Sequence, residues 1–509
     1  MSLKTLSLTV LLFLNLWLSG IRSPASASEL QEQPKKIAVV GAGIGGTAAA
    51  FYLRQEFGAG VKIDVFESGT VGGRLATVKM GDHEYESGGL RIHPLNLHLK
   101  HFVEKIGIPP RKNVASKMAI FDGKELVFEE SDWFIINFFR MLWRFGFNLL
   151  RMQMWVETVL DKFMRIYQYQ QYGYAFTTVE RLLHAMGGDS FLTLINQTLE
   201  ETMMSEGFSQ TFLNDMVSPI TRVSFGQSVR IHGFVGALSL TGADSAMWAV
   251  DGGNKRLCLG LLYHSKSELI PATVTSVGIE VRPSKKGPTT SFYKVNYVGE
   301  SGSAHDLYDI VVIATPLHQG KSDITFSGFS PPLPSHYPGR YHQTVSTLVN
   351  GVLNVSYLGS TKLASDFTVS EVLTKESKDS VIHSLASLDP VHIPQGYSRP
   401  PASHSKVWRV SSPHPLSREQ LQNIFTSWDS VSETRWLAYP AYRPPHRKTP
   451  PFILHNRLYY LSAVDWAAST MEMSAISARN VALLAHHRWH QQGTKIDQED
   501  LHTRMRGEL

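Results

Sequence analysis

Three glycines near the start of the chain carry the clearest chemical signal. Gly41, Gly43 and Gly46 follow a β-branched run, residues 36–40, and precede an alanine-rich segment suited to a helix. At this spacing the first glycine allows a tight turn, the second lets the backbone approach a pyrophosphate, and the third lets helix and strand pack closely. The helix N-terminus would add aligned N–H dipoles. The stretch therefore predicts a cradle for the phosphates of a dinucleotide.

A carboxylate follows at the distance expected for a ribose contact. Residues 61–66 form a second β-branched run that ends on Glu67, about 20 residues after the last glycine. An acidic side chain at the end of this second strand accepts hydrogen bonds from ribose hydroxyls. Glu67 is therefore predicted to bind the ribose.

The next loop, residues 71–77, distinguishes flavin from nicotinamide. Its Gly73 and Arg74 resemble the GGR segment of the flavin amine oxidase superfamily, in which the loop and its arginine approach the FAD pyrophosphate. A planar guanidinium matches a diphosphate with two parallel hydrogen bonds. We therefore expect FAD as the cofactor, with Gly73 and Arg74 in its site.

The C-terminal part of the chain carries a related signal. Residues 472–478 begin a helix of small residues and resemble the superfamily's C-terminal FAD motif, in which an acidic residue and a helix N-terminus meet the ribityl and pyrophosphate region. Glu472 would be that acidic residue. Ser474 and Ala478 stand where glycines are usual, so this copy departs from the pattern at the point of closest backbone approach.

Length and charge restrict the fold and the partners. The chain has 509 residues, 43% of them hydrophobic, which suffices for two cores. We predict an α/β protein whose Rossmann-type FAD-binding domain is interleaved with an α+β substrate domain. The first would comprise residues 36–130, 246–330 and 451–509, and the second a mainly helical segment, 131–245, and a mixed segment, 331–450. The net charge of +5 and the lack of a dense Lys/Arg run argue against nucleic acid as a partner.

The N-terminal residues predict the compartment. Residues 1–27 have the pattern of a secretory signal peptide, with Lys4, an apolar stretch over residues 6–18 and small residues at 25–27. A lumenal or extracellular protein can be glycosylated at the sequons of Asn196 and Asn354. The single cysteine, Cys258, cannot form an intramolecular disulfide, and its apolar neighbours predict a buried thiol.

Residues 133–155 have an unusual composition, rich in Phe, Trp, Leu and Met. As one helix they would place Asn137, Arg140, Arg144, Asn148 and Arg151 on a narrow stripe and apolar side chains over most of the remainder. Three interpretations stay open. The helix could belong to the core of the second domain, form the wall of an apolar substrate pocket, or lie on an anionic membrane surface.

The motifs together resemble the prenylcysteine oxidase (prenylcysteine lyase) family over essentially the whole mature chain. The more particular matches are residues 44–47, 71–77, 154–157, 161–167, 252–255 and 471–476. The resemblance implies an FAD-dependent thioether oxidase that converts farnesyl- or geranylgeranyl-cysteine, dioxygen and water into cysteine, a prenyl aldehyde and hydrogen peroxide. It also implies a lysosomal or secreted location.

Because the cofactor carries this chemistry, the resemblance also fits the lack of any metal-ligand or catalytic-triad spacing in the sequence. We predict no metal site, and the catalytic side chains stay unidentified. Some stretches are equally similar to the family's oxidase-like paralogue, so a second function stays open. It is a secreted flavoprotein or a binding protein of lipid or lipoprotein surfaces, with a different oxidase activity or none.

Overall fold

The computed structural model describes residues 33–243, 246–282, 290–377, 381–445 and 449–499. The predicted signal peptide, residues 1–27, lies outside the described residues.

Strands occur from the beginning to the end of the described chain. In order they are β1 (Lys36–Val40), β2 (Lys62–Glu67), β3 (Thr77–Met80), β4 (His83–Glu86), β5 (Met118–Phe121), β6 (Leu126–Glu129), β7 (Glu268–Arg282), β8 (Thr290–Gly299), β9 (Gly302–Tyr308), β10 (Ile310–Ile313), β11 (Thr325–Ser327), β12 (Tyr341–Leu353), β13 (Glu371–Thr374), β14 (Ser384–Ser387), β15 (Lys406–Ser412), β16 (Phe425–Pro440), β17 (Ile453–His455) and β18 (Leu458–Tyr460).

The helices are concentrated between β6 and β7. In order they are α1 (Ile44–Phe57), α2 (Leu97–Ile106), α3 (Phe134–Phe145), α4 (Asn148–Phe163), α5 (Arg165–Gln171), α6 (Val179–Gly187), α7 (Asp189–Asn196), α8 (Leu199–Ser205), α9 (Gln210–Phe212), α10 (Ser218–Phe225), α11 (Gly233–Leu240), α12 (Lys255–Ser265), α13 (Arg418–Ile424) and α14 (Met471–Trp489). A π-helical turn, Leu213–Val217, joins α9 to α10.

The first sheet has the order β17-β18-β10-β1-β2-β7-β8-β9, with β11 added beside β7. Strands β18, β10, β1 and β2 run parallel, with Val39 of β1 opposite Val312 and Val65. The β-branched residues of β1 are buried, as expected for a parallel sheet with helices on its faces. Helix α1 packs on β1 and β10 and contacts α12 and α14. This sheet confirms the predicted Rossmann-type half of the α/β fold.

The second sheet has the order β16-β12-β15-β14-β13-β5-β6. Strands β12, β15 and β16 form a long antiparallel group, and β13 pairs parallel with β5. The sequence prediction extended the first FAD-domain segment to residue 130. The structure instead places β5 and β6 in the second sheet. The sequence did not show this, because β5 pairs with β13, a strand that lies far from it in the chain.

The helical segment departs from the sequence prediction at one point. Residues 133–155 were predicted as one helix, but α3 ends before Gly146, whose φ of +58° is a conformation that glycine adopts readily, and α4 begins at Asn148. Residues 179–205 form three helices, the last of which, α8, begins where Thr198 caps it with a capping box.

Candidate functional site

A cavity of about 740 Å³ lies between the carboxyl ends of the first sheet and one face of the second sheet. This volume falls within the roughly 300–1,000 Å³ typical of ligand pockets. The crevice outside the carboxyl ends of parallel strands is where ligands bind in open α/β sheets. Helices α4, α10 and α11 complete the wall, with Leu160, Phe163, Val223, Phe225 and Leu238.

The three predicted glycines lie together at one end of this cavity. Gly41 has a φ of +106°, and a Cβ there would lie 2.9 Å from Cγ2 of Thr315. A Cβ at Gly46 would lie 1.8 Å from the carbonyl oxygen of Gly41, so only glycine allows this approach of helix to turn. Both positions are therefore explained by the protein's own packing.

Gly43 is different, because no described part of the chain requires a glycine there. Its φ of −73° is an ordinary value, and the nearest heavy atom to a Cβ would be the carbonyl oxygen of Gly72 at 3.8 Å. Gly43 is also the N-cap of α1, with no side-chain capping hydrogen bond. The space beside it, at a helix N-terminus, is available to an anionic ligand.

The loop of residues 71–77 contacts the glycine turn directly. The backbone N–H of Gly72 donates to the carbonyl oxygen of Ala42 at 2.9 Å. Gly73 has a φ of +57°, and a Cβ there would lie 3.4 Å from the Cα of Gly43. Two motifs that are separate in the sequence thus form one surface of the cavity.

Glu67 ends β2 beside the same turn. Its Oε2 accepts a hydrogen bond from the N–H of Ala42 at 2.8 Å, and its Oε1 accepts one from the N–H of Gly69 at 2.8 Å. A carboxylate has lone pairs for further donors. Glu67 also lines the cavity, so it can accept hydrogen bonds from a ligand.

Arg74 reaches across the cavity wall. Its Nη1 donates to the carbonyl oxygen of Ala438 at 2.6 Å and to Oγ of Ser469 at 2.5 Å. Its Nη2 lies 3.4 Å from Oδ2 of Asp465. Among the described residues these acceptors leave the Nε–H and one Nη2–H of Arg74 without a protein partner.

Glu472 has a structural task that the sequence did not predict. Its Oε1 accepts hydrogen bonds from the N–H of His98 and the hydroxyl of Tyr167, both at 2.8 Å, and its Oε2 accepts one from the N–H of Leu99 at 3.1 Å. His98 and Leu99 lie in the first turn of α2, so the carboxyl group caps that helix. Burial raises the pKa of Glu472 to about 7.

The N-terminus of α14 opens onto the cavity beside that of α1. Thr470 caps α14 by accepting the N–H of Met473 at 3.1 Å. Ser474 stands where the family pattern has a glycine, and its hydroxyl donates to the carbonyl oxygen of Thr470 at 3.0 Å. A Cβ added at Gly45 of α1 would lie 3.6 Å from the Cβ of Ser474. Helices α1 and α14 therefore approach closely despite the serine.

A cluster of polar side chains that the sequence analysis missed lies at the cavity edge. Asp465 is 1% exposed and accepts a hydrogen bond from the hydroxyl of Tyr341 at 2.9 Å. Lys321 lines the cavity, and its Nζ lies 5.7 Å from the centre of the Tyr341 ring. Burial, and then the charge of Arg74, lower the pKa of Lys321 to about 8. Its amine can therefore exchange a proton near neutral pH.

The second sheet supplies the opposite wall, from a segment in which the sequence analysis found no chemistry. Its cavity-lining side chains include Thr344, Ser346, Glu371, Arg409, Ser411 and Trp436. One signal was available in the sequence, because Arg409 interrupts the apolar run of Val407, Trp408 and Val410. A charged residue in such a strand indicates a site rather than a core position.

The remaining predicted residues lie outside the cavity lining. Asn196 is exposed at the end of α7, and Asn354 is half-buried, with its side-chain amide donating to the carbonyl oxygen of Asn423 at 2.9 Å. Cys258 is buried, which confirms that prediction, and burial raises the pKa of its thiol to about 12. Within the described residues no cluster of His, Cys, Asp and Glu could hold a metal ion.

Helices α3 and α4 expose an apolar surface, which rules out the core-helix interpretation for most of their side chains. Trp143 is 94% exposed and Trp133 70% exposed. Two members of the polar stripe contact the protein instead, since Arg144 pairs with Asp215 at 2.9 Å and Arg151 donates to the carbonyl oxygen of Gly207 at 3.0 Å. We call this surface the apolar face; it comprises Trp133, Ile135, Ile136, Phe138, Phe139, Trp143, Phe147, Leu150 and Met154.

The chain is similar to known proteins along nearly its whole length. A family model described as prenylcysteine lyase matches residues 128–498, more than half of the chain. A model for an NAD(P)-binding Rossmann-like domain matches residues 39–106. Prenylcysteine oxidase 1 of Mus musculus is 49% identical over 500 residues, which cover 98% of each chain. Prenylcysteine oxidase 1-like of Bos taurus is 45% identical over 488 residues, which cover 95% of this chain and 97% of the relative.

Solved structures of two amine oxidases share the fold. A triple mutant of putrescine oxidase superposes with a TM-score of 0.56 at 14% identity, covering 88% of this chain and 98% of the other. Cyclohexylamine oxidase from Brevibacterium oxydans has a TM-score of 0.56 at 13% identity, covering 90% of this chain and 99% of the other. At such low identity the likeness concerns the fold alone.

Proposed function

This chain belongs to the prenylcysteine lyase family, and we propose that it is an FAD-dependent thioether oxidase of prenyl-L-cysteines. The substrate would be farnesyl- or geranylgeranyl-cysteine, which reacts with dioxygen and water to give cysteine, a prenyl aldehyde and hydrogen peroxide. The relatives named prenylcysteine oxidase 1 support this activity.

The observation that carries the cofactor proposal is Gly43. The protein's own packing explains Gly41 and Gly46 but not Gly43, beside which a Cβ would meet no protein atom closer than 3.8 Å. A pyrophosphate at the α1 N-terminus accounts for that glycine. The buried Thr315 Oγ1, which has no hydrogen-bond partner among the described residues, adds a polar atom at the same wall.

The proposed roles of the lining residues follow from their free hydrogen-bonding capacity. Glu67 would accept ribose hydroxyls through its remaining lone pairs. Gly73 would let the loop backbone approach the diphosphate, and Arg74 would donate to it through its unpaired N–H groups. Glu472 would act through structure, because its carboxyl group holds α2 against the start of α14.

When bound, the flavin would supply the hydride acceptor that oxidation of the carbon next to sulfur requires. The chain's own residues would position the prenyl group along the apolar wall of Leu160, Phe163 and Leu238 and exclude bulk water from it. Lys321 is the amine in the described lining whose pKa, near 8, suits proton exchange at Nζ.

A peroxide assay tests this function. The purified protein should show a flavin absorption spectrum and release hydrogen peroxide with farnesyl-L-cysteine but not with S-methyl-L-cysteine, which lacks the prenyl group. A colourless protein would contradict the cofactor proposal. A yellow protein that releases no peroxide with either prenylcysteine would support the alternative, a family member that binds lipid without this oxidase activity.

The apolar face favours a second property, association with a lipid bilayer surface. Isolated exposed apolar residues are common, but a continuous surface of this kind is typical of membrane or interaction sites. Arg140 is exposed between these side chains, and Trp and Arg are residues that suit the headgroup region. Among the described residues, no helix is long and apolar enough to cross a bilayer.

The same helix connects this face to the cavity. Met154 of α4 is 67% exposed on the apolar face, while Leu160 and Phe163 of α4 line the cavity. At 1.5 Å per residue, Met154 and Phe163 are about 14 Å apart along the helix axis. A prenylated amphiphile that partitions into lipid would therefore reach the protein close to the cavity.

The compartment follows from the sequence pattern. We propose a lysosomal protein, with secretion as the alternative, on the basis of residues 1–27 and the sequons at Asn196 and Asn354. Treatment with an N-glycosidase should lower the mass of the wild type in two steps and that of Asn196→Gln in one step. This result would support glycosylation at both sites. A single species of unchanged mass would contradict it.

A further inference from the structure

Arg409 is a cation inside the cavity without a carboxylate partner. It lies on β15, and its side chain lines the cavity. It makes one long hydrogen bond within the described residues, from Nη1 to the carbonyl oxygen of Gly88 at 3.5 Å. Within the described part of the chain no Asp or Glu oxygen lies within salt-bridge distance of it. A guanidinium has five N–H donors, so most of its capacity is unused.

The nearest acid on the same sheet face is already paired. Arg409 is opposite Ala386 of β14, and Ala386 is opposite Glu371 of β13, so Glu371 lies two strands away, at about 10 Å along the sheet. Its carboxylate binds Arg91 at 2.7 Å. The charge of Arg409 is therefore not neutralised by this wall of the cavity.

Further unused hydrogen-bonding atoms lie beside Arg409. Ser411 shares its face of β15, because side chains two residues apart point the same way. Ser346 of β12 pairs with Ser411, and its buried Oγ has no hydrogen-bond partner among the described residues. Ser346, Ser411 and Arg409 all line the cavity. They form a polar patch in a cavity whose helical wall contains the apolar side chains of Leu160, Phe163 and Leu238.

We propose that Arg409 binds the α-carboxylate of the substrate's cysteine, with Ser346 as a second hydrogen-bond donor. This rests on the proposed function, because a prenylcysteine combines an anionic head with an apolar chain. A half-buried guanidinium inside a cavity favours an anionic partner, and a carboxylate matches its planar fork with two hydrogen bonds. The head would bind at the second sheet while the prenyl chain lies along α4, α10 and α11.

Two substrates and three proteins test this assignment. The substrates are farnesyl-L-cysteine and its methyl ester, which lacks the negative charge. The proteins are the wild type, Arg409→Met, and the control Arg435→Met, whose arginine is 63% exposed beside Glu433. Peroxide release gives KM and kcat, and quenching of tryptophan fluorescence gives the dissociation constant independently of turnover.

Loss of a charge-assisted hydrogen bond should weaken binding of the free acid to Arg409→Met roughly ten- to hundredfold. The methyl ester should bind wild type and Arg409→Met equally, and Arg435→Met should match the wild type with both compounds. Ser346→Ala should weaken the acid to a smaller extent. This pattern assigns the carboxylate to Arg409.

Other patterns overturn it. Equal weakening of acid and ester in Arg409→Met would show a role in shaping the cavity. Loss of the flavin spectrum from Arg409→Met at unchanged melting temperature would assign the arginine to the cofactor. Binding of the acid without peroxide release by the wild type would refute the proposed function, while the binding constants would still decide the role of Arg409. A wild type that binds neither compound would refute both.

Discussion

Gly43→Val separates cofactor binding from protein stability more cleanly than other changes in the glycine turn. The backbone at Gly43 has a φ of −73° and a ψ of −178°, which valine adopts without strain. The Cβ would meet no protein atom closer than 3.8 Å. The new side chain would instead occupy the space assigned to the FAD pyrophosphate.

The expected effect on FAD follows from the hydrogen bonds that would be lost. A hydrogen bond between a backbone N–H and a charged group contributes about 1.5–3 kcal/mol. Blocking one or two of them weakens FAD binding roughly tenfold to ten-thousandfold. The apoprotein should lose only the N-cap preference of glycine over valine, about 1 kcal/mol, so its melting temperature should fall by no more than about 4 °C.

The assay is titration of the apoprotein with FAD, followed by flavin fluorescence, together with thermal unfolding without FAD. Gly60→Val is the matched control, because a Cβ there would meet no heavy atom within 4 Å. Gly46→Ala is the contrasting variant, since its Cβ would lie 1.8 Å from the Gly41 carbonyl oxygen and should destabilise the apoprotein. Wild-type FAD affinity in Gly43→Val would refute the placement of the pyrophosphate.

Three further outcomes are expected. Glu67→Gln and Arg74→Ala should each weaken FAD binding roughly ten- to hundredfold in the same titration; unchanged curves for both would remove their assignments to ribose and diphosphate. Trp143→Asp with Phe139→Asp should lower binding to vesicles that contain anionic lipid, seen by co-sedimentation, and leave turnover of dissolved farnesyl-L-cysteine unchanged; equal sedimentation of variant and wild type would exclude the apolar face as the contact. Because burial raises the folded-state pKa of Glu472 from 4.5 to about 7, the folded protein binds that proton more tightly than the unfolded chain. The stability that the fold gains from this protonation of Glu472 is full below about pH 4.5 and is lost as the pH rises to about 7. The unfolding free energy of the wild type should therefore fall relative to that of Glu472→Gln over this range, and a constant difference between the two would contradict the shifted pKa.

The glycine turn and the loop of residues 71–77 were predictable because their information is local. Gly41 and Gly46 are required by contacts and dihedral angles within a single β-turn-α unit, so their spacing alone identifies the unit. Strand β10, which is short and fully apolar, suits the interior of a parallel sheet, and it lies there beside β1. The family resemblance extended this reasoning from the fold to the chemistry.

The sequence contained a signal for the break between α3 and α4, but residues 133–155 were predicted as one helix. Gly146 lies in the middle of residues 133–155, and a positive φ there ends the first helix. The sequence did not show whether the apolar face points into the protein or toward solvent. A helical pattern fixes which side chains share a face, but only the tertiary structure shows that Arg144 and Arg151 of the polar stripe contact the protein.

The sequence by itself thus determined the nucleotide-binding unit, the fold class and the family, because these depend on residues close together in the chain. The tertiary structure alone decided how the second sheet closes the cavity. Lys321, Arg409 and Ser469 come from three distant segments, and no local pattern records that they line one space. It also decided that the Glu472 carboxyl group caps α2, since that bond joins residues 374 positions apart. Long-range pairing of strands and helices, which depends on packing rather than on local preference, supplies this information.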